Sequence, residues 1–261
     1  MDLMKNKLYT PAPYVLLGIF LIFSGFFTRQ SQGADEAMHA NTFQTGFQFN
    51  FSQGEEITYS VKKWGIQVGE SKLIYEGERR LDNQQVILIV FRTNIVKFDG
   101  EERIYLDKEK LLPILVERDI KLFGKTEVIT ERYDQSKGVV EITKQVKGKV
   151  TTQTIKKDDV IDNVQAFIFR YRKRGNYQIG QKFDMQLPLA EVKLQIETKE
   201  MLKLLDVDYD AYFMEGDPRN LKIWFDANDH HVPLRIDGNF GAGKISLILN
   251  EYKNRSALTK F

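Results

Sequence analysis

The stretch Leu221 to Lys244, LKIWFDANDHHVPLRIDGNFGAGK, gathers Trp224, Asp226, Asp229, His230, His231, Arg235 and Asp237 ahead of a glycine-rich run. Several chemistries need those residue types. The skeleton G-x-x-x-x-G-K from Gly238 to Lys244 is the frame of a phosphate-cradling loop, but the next residue is Ile245, so the hydroxyl that would ligate Mg²⁺ is missing. The adjoining segment ISLILNEY alternates like a strand instead of opening a helix whose N-terminus would hold phosphate. The glycines therefore read as a hairpin turn. Asp226, Asp229, His230 and His231 carry metal-ligating groups, yet adjacent residues on a strand point to opposite faces, and the remaining histidine is His39, far off in a polar segment. Neither a metal nor a cofactor is expected. With no G-x-S-x-G elbow and no H-E-x-x-H, no catalytic residue is assigned.

The stretch supports a β-hairpin. Leu221, Ile223 and Phe225 face one way, and Val232, Leu234 and Ile236 can meet them across a turn built from Ala227, Asn228, Asp229 and His230. Pro233 suits the start of the second strand, where a missing N–H matters little. Trp224 and Arg235 then share the opposite face. An earlier phrase, RIYLDKEKLLPILVERDI, repeats the order basic, Ile, aromatic, apolar, Asp, turn, Pro, strand, and places Arg118 where Arg235 stands. Trp64 sits beside Gly65 in the first hairpin. Trp64, Arg118, Trp224 and Arg235 are the candidate ligand-binding residues, an aromatic and guanidinium surface for a sugar or an anionic head group. The competing reading makes Trp224 core and pairs the arginines with nearby acids.

The elements that must carry these residues are mostly strands. From Glu55 onward, short alternating runs such as EITYSVKKW, QVILIVFRTN, TEVITERYD and KISLILNEY are bounded by Gly, Asp, Asn and Lys. One segment breaks the period of two: Val160, Ile161, Val164, Phe167, Ile168 and Tyr171 are spaced by three and four, predicting a helix over about Asp159 to Arg174. Asp158 or Asp159 can cap its start. Arg172, Lys173 and Arg174 suit the negative end of its dipole, and Gly175 the left-handed stop. Alternating βαβ units are absent, against a doubly wound nucleotide-binding fold. Phe261 ends the chain as outer-membrane barrels often end, but Arg255 and Thr259 would share its face, so a lipid-facing strand is not expected.

At the N-terminus, Lys5 and Lys7 precede the apolar run Tyr14 to Phe27, after which comes polar RQSQGADEA. That order reads as an export signal over residues 1–33, with Ser31 and Gly33 before the cleavage site, or as an uncleaved inner-membrane anchor. A linker over 34–53, one β-rich domain over 54–252 and a polar tail over 253–261 complete the division. The 261 residues are 42% hydrophobic, enough for a real core, and a net charge of +2 gives no field for nucleic acid. Without cysteine the chain has no disulfide, no thiol catalysis and no lipoprotein-type acylation.

The phrases GEEITYSVKKWGIQVGESKL, RTN, LLPILVERDI, the helix ending RYRKRGNYQIGQKF, and KIWFDANDHHVPLRIDGNFGAGKISLILNEY succeed one another over roughly Gly54 to Tyr252. Together they resemble the bacterial exported family known as domain of unknown function 3108. The resemblance implies an exported, β-rich envelope protein and brings no reaction, cofactor or catalytic residue with it. The expected fold is mainly β: a curved antiparallel sheet or incompletely closed barrel, with one main α-helix packed against its concave side or mouth. The expected function is non-enzymatic binding of an apolar or amphipathic ligand, or of an envelope partner, in the periplasm or at the envelope. A lipid, a glycan or an envelope protein is the partner class, with membrane contact only through an uncleaved N-terminal segment. The alternatives are a carboxylate-dependent enzyme acting on cell-envelope glycans and a module that adds a strand to a partner.

Overall fold

A computed structural model describes residues 52–217, 221–228, 230–239 and 244–254. The N-terminal segment expected to be a signal or anchor, most of the expected linker, the centre of the G-x-x-x-x-G-K run and the tail beyond Asn254 lie outside the described residues. Fourteen strands and one helix come in order: β1 Glu55–Lys63, β2 Ile66–Leu81, β3 Gln84–Ile95, β4 Phe98–Asp107, β5 Pro113–Leu122, β6 Lys125–Asp134, β7 Val139–Val146 and β8 Lys149–Lys156. Then come α1 Val164–Arg174, β9 Lys182–Leu187, β10 Ala190–Leu204, β11 Val207–Asp217, β12 Leu221–Asp226, β13 Pro233–Asn239 and β14 Lys244–Lys253. Each strand matches an alternating run of the sequence. β4 begins five residues before the run RIYLD, because a tight turn with Lys97 at φ 65° folds Phe98–Glu101 back onto β3.

All fourteen strands form one antiparallel sheet in the order β8-β7-β6-β5-β4-β3-β2-β1-β14-β13-β12-β11-β10-β9. The chain starts in the middle and walks outward to β8. It then crosses through α1 to β9 at the opposite edge and walks back until β14 lies on β1, with Lys63 opposite Ile245 and Glu56 opposite Lys253. β8 and β9 are the two edges, so the sheet curls without closing. Irregular pairings bend it at Thr58/Tyr59, Val61/Lys62, Tyr75/Gly77 and Ile196/Thr198, as bulges do. At Gly69 the strands come so near that a Cβ would stand 2.1 Å from the Asn94 carbonyl oxygen, which requires glycine.

The expected helix is present, but it begins later. Asn163, not Asp158 or Asp159, is the N-cap: its backbone is extended and its side chain accepts from the N–H groups of Gln165 and Ala166. Asp159 instead accepts from the Val160 N–H, and Ile161 is buried in an extended approach whose N–H donates to Gln135. Val160 therefore falls outside the stripe and is exposed. The C-terminal stop is as expected, with Gly175 left-handed at φ 66°. The buried face is wider than a stripe: Ala166, Phe167, Ile168, Phe169, Tyr171 and Arg172 are all covered, because α1 lies inside the curl. Phe169 stacks on Tyr75 of one half of the sheet, and Tyr171 packs on Phe225 of the other. Arg172 is not a surface charge serving the helix dipole. It is fully enclosed and donates to Glu55 Oε1 at 2.7 Å and to the His230 carbonyl at 3.1 Å.

The two related phrases form the same hairpin twice. In each, an Asp carboxylate accepts from N–H groups of the turn, Asp107 from Glu109 and Lys110 and Asp226 from Asn228. A left-handed residue comes next, Leu111 at φ 54° and His231 at φ 45°. One extra residue then bulges after the proline. Leu106 pairs with Pro113 and Tyr105 with Leu115, just as Phe225 pairs with Pro233 and Trp224 with Arg235. The counterpart of Arg235 is thus Leu115. Arg118 lies three residues further on, where the alternation has turned it to the other face.

Candidate functional site

A cavity of about 570 Å³ lies within the curl. Its walls combine Tyr59, Leu73 and Phe91 from β1 to β3, Val164 and Ile168 from α1, and Val192, Leu221, Ile236 and Leu247 from the returning half. Its exposed lining is Thr151, Thr152 and Gln153 of β8, with Leu189 in the turn from β9 to β10. Those two segments belong to the two open edges. The mouth is therefore the seam where the barrel fails to close.

One polar cluster interrupts the apolar walls. On β4 the inward row is Phe98, Gly100, Glu102, Ile104 and Leu106; on β5 it includes Val116, Arg118 and Ile120; on β6 it is Ile129, Glu131 and Tyr133. Glu102 lies directly opposite Arg118 across the β4–β5 ladder. The Arg118 guanidinium donates to Glu102 Oε1 at 3.0 Å through one terminal nitrogen and to Glu131 Oε1 through the other. Tyr133 donates its hydroxyl to Glu131 Oε2, and Asn163 donates its amide to Glu102 Oε1 at 2.9 Å. The helix cap is thereby tied to the cluster. All three charged members are nine-tenths or more buried. Burial alone would lower the Arg118 pKa, but Glu102 and Glu131 outweigh it and hold the group above its ordinary value. Burial, reinforced by Glu131, raises the Tyr133 phenol well above its ordinary value.

Two further charged residues of the lining have their own partners. Asp162 is paired with Arg170 of α1, and Lys144 of β7 with Glu127 of β6. Both Glu131 oxygens accept hydrogen bonds, whereas Glu102 Oε2 accepts none among the described residues. It is also not among the enclosed atoms lacking a partner, so it is open to the cavity that Glu102 lines. The Arg118 Nε is enclosed without a partner.

Of the four residues singled out in the sequence, only Arg118 lines the cavity. Trp224 and Arg235 are neighbours, as the hairpin requires, but on the outer face of the sheet. Trp224 stacks on Phe213 at 4.8 Å between centroids, lies under the Arg235 guanidinium at 4.9 Å, and donates to Glu200 Oε1 at 2.8 Å. Arg235 in turn grips Asp237 through two hydrogen bonds. Trp64 is in the turn between β1 and β2, 74% exposed, with Lys63 over its ring. The four do not make one surface.

Glu102, Glu131 and Tyr133 escaped the sequence reading, although a signal was there. Each of Arg118 and Glu131 has apolar residues two positions before and after it, and Glu102 has Ile104 and Leu106 behind it, so the alternation itself turns them inward. Among the described residues no group of three or more acids and histidines could hold a metal, and no helix is long and apolar enough to cross a membrane.

The protein is thus a curled, incompletely closed antiparallel barrel with an internal cavity and a helix lodged inside it. By sequence it belongs to the family described as "Protein of unknown function (DUF3108)", whose match spans residues 56–250. No curated protein matches it. Among solved structures it is similar to the β-barrel-like protein of domain of unknown function DUF1849 from Brucella abortus. That similarity has 9% identity and a TM-score of 0.46, and covers 77% of this chain and 98% of that one.

Proposed function

We propose that this protein is exported to the cell envelope and binds one apolar or amphipathic molecule in the cavity of the curled sheet, without transforming it. The observation that carries the reading is the cavity: its volume falls in the range of small-molecule sites, its walls are mainly apolar, and it has a single buried polar cluster to orient a ligand. Its mouth at the open seam gives a long molecule a lateral way in. Export is supported by the order Lys5, Lys7, apolar Tyr14 to Phe27 and polar RQSQGADEA, with the domain beyond Gly54 in the periplasm and the N-terminal segment either cleaved or left as an anchor. Fractionation that recovers the full-length chain from the cytosol refutes export.

Binding is tested with N-phenyl-1-naphthylamine, an uncharged dye that fluoresces in apolar surroundings. One saturable site is expected, lost when Val192→Trp fills the cavity while the melting temperature holds. No saturable signal from the parent chain overturns the reading. An enzyme acting on envelope glycans would have to draw its acid pair from Glu102, Glu131 and Asp162, but each is held by an arginine and Glu131 has no oxygen left over.

A further inference from the structure

The largely apolar cavity carries charged residues that do not balance. Counting the charged residues of the lining with their ion partners, Glu102, Glu131, Asp162 and Glu127 stand against Arg118, Arg170 and Lys144, four negative groups against three positive. Asp162 with Arg170 and Lys144 with Glu127 close as pairs. The surplus therefore sits where two carboxylates share the single Arg118. It has an address within the cluster as well: both Glu131 oxygens are occupied, and the carboxylate oxygen without a partner among the described residues is Glu102 Oε2, on a side chain only 4% exposed.

A buried carboxylate oxygen facing an apolar cavity asks for a hydrogen-bond donor, and a cluster one cation short asks for a positive one. We propose that the polar end of the ligand is a protonated amine, so that the cavity takes an amphiphile with an ammonium group donating to Glu102 Oε2 and its hydrocarbon along Tyr59, Leu73, Ile168 and Val192. The amine completes a four-membered array of two carboxylates, one guanidinium and one ammonium. An anionic head, carboxylate or phosphate, would add a second uncompensated negative charge. This assignment rests on the cavity-binding reading above and narrows it. It also reverses the sequence expectation of an anionic head group, which rested on arginines whose carboxylate partners were not yet visible.

The test uses three amphiphiles of equal chain length, dodecylamine, dodecanol and dodecanoate. Each competes below its micellar concentration against bound N-phenyl-1-naphthylamine on the parent chain at pH 8. Because the ammonium adds an opposite charge to the hydrogen bond that an alcohol could also donate to Glu102, dodecylamine is expected to bind about ten-fold more tightly than dodecanol, and dodecanoate more weakly than both. Glu102→Gln keeps the shape and removes the charge, so it should bring amine and alcohol to within about three-fold, the loss falling mainly on the amine. If dodecanol or dodecanoate matches the amine on the parent chain, the assignment falls and cavity binding stands. If the dye binds and no amphiphile displaces it, the assignment again falls. If the dye itself finds no site, both fall together.

Discussion

At the scale of single residues, the inner and outer faces give the same side chain different work. Among the described residues Arg118 is the only cation paired with Glu102 and Glu131, so Arg118→Ala leaves two buried carboxylates without compensation and is expected to cost about 3 to 5 kcal/mol, read as a shift of the urea midpoint. Adding Glu102→Gln and Glu131→Gln to that variant should recover most of the loss, because the burden is uncompensated charge and not a missing contact. On the outer face Trp224 is sandwiched between Phe213 and Arg235 and only 8% exposed, so Trp224→Ala is expected to cost about 3 kcal/mol in the same measurement. Arg235→Ala should cost about 1 kcal/mol, since its guanidinium is part-exposed and its ion pair is screened. Neither outer-face change should alter dye binding inside the sheet. The sequence picked out Arg118 for its place in a repeated phrase, and that parallel was mistaken: both hairpins carry the same bulge after the proline, so Leu115, two residues past Pro113, is the counterpart of Arg235, and Arg118 stands an odd number of residues further along. An odd offset along a strand exchanges inward for outward, and counting from the two prolines shows it.

Among the elements, α1 ties together parts of the sheet that lie far apart in sequence. Its last turn buries Arg172 against Glu55, the first residue of β1, with Tyr252 of β14 also donating to Glu55. The pair thus pins the helix to the junction where the two halves of the sheet meet. A double-mutant cycle of Arg172→Met and Glu55→Gln is expected to give a coupling of about 2 kcal/mol or more, whereas two independent side chains would give values that add within about 0.5 kcal/mol. The helix itself was legible from its spacing of three and four, and its glycine stop was legible too. Its start was not, because Asp158, Asp159 and Asn163 are all good caps, and Asn163 is selected by Ile161 buried just before it and Glu102 waiting for its amide. Both are tertiary facts.

For the molecule as a whole, buried phenols set the alkaline limit. Burial raises Tyr59, Tyr133, Tyr171 and Tyr177 above the ordinary value near 10, and Tyr75 to about 12. The folded values exceed the unfolded ones, so this stability is fully present below about pH 10 and is lost as pH rises toward the folded values. Tyr59, wholly enclosed, should remove about 1.4 kcal/mol per pH unit in that window. Absorbance of phenolate near 295 nm should therefore rise together with loss of structure in one cooperative step, and early gradual ionisation of the buried set would contradict the packing. The fourteen strands could be read one by one from their alternation, and the chain's walk could not, because nearly all neighbours are hairpin partners while the β1–β14 seam joins residues nearly two hundred positions apart. The open edges at β8 and β9 bring a mechanical consequence. A closed barrel has a circumference fixed by strand number and stagger, and it widens only by breaking ladder bonds. A curled sheet with no ladder between β8 and β9 can widen along that gap without unzipping a strand pair, and the tie it would strain is the Asp162 N–H that donates to the Gln186 carbonyl at 2.6 Å, between the approach to α1 and β9.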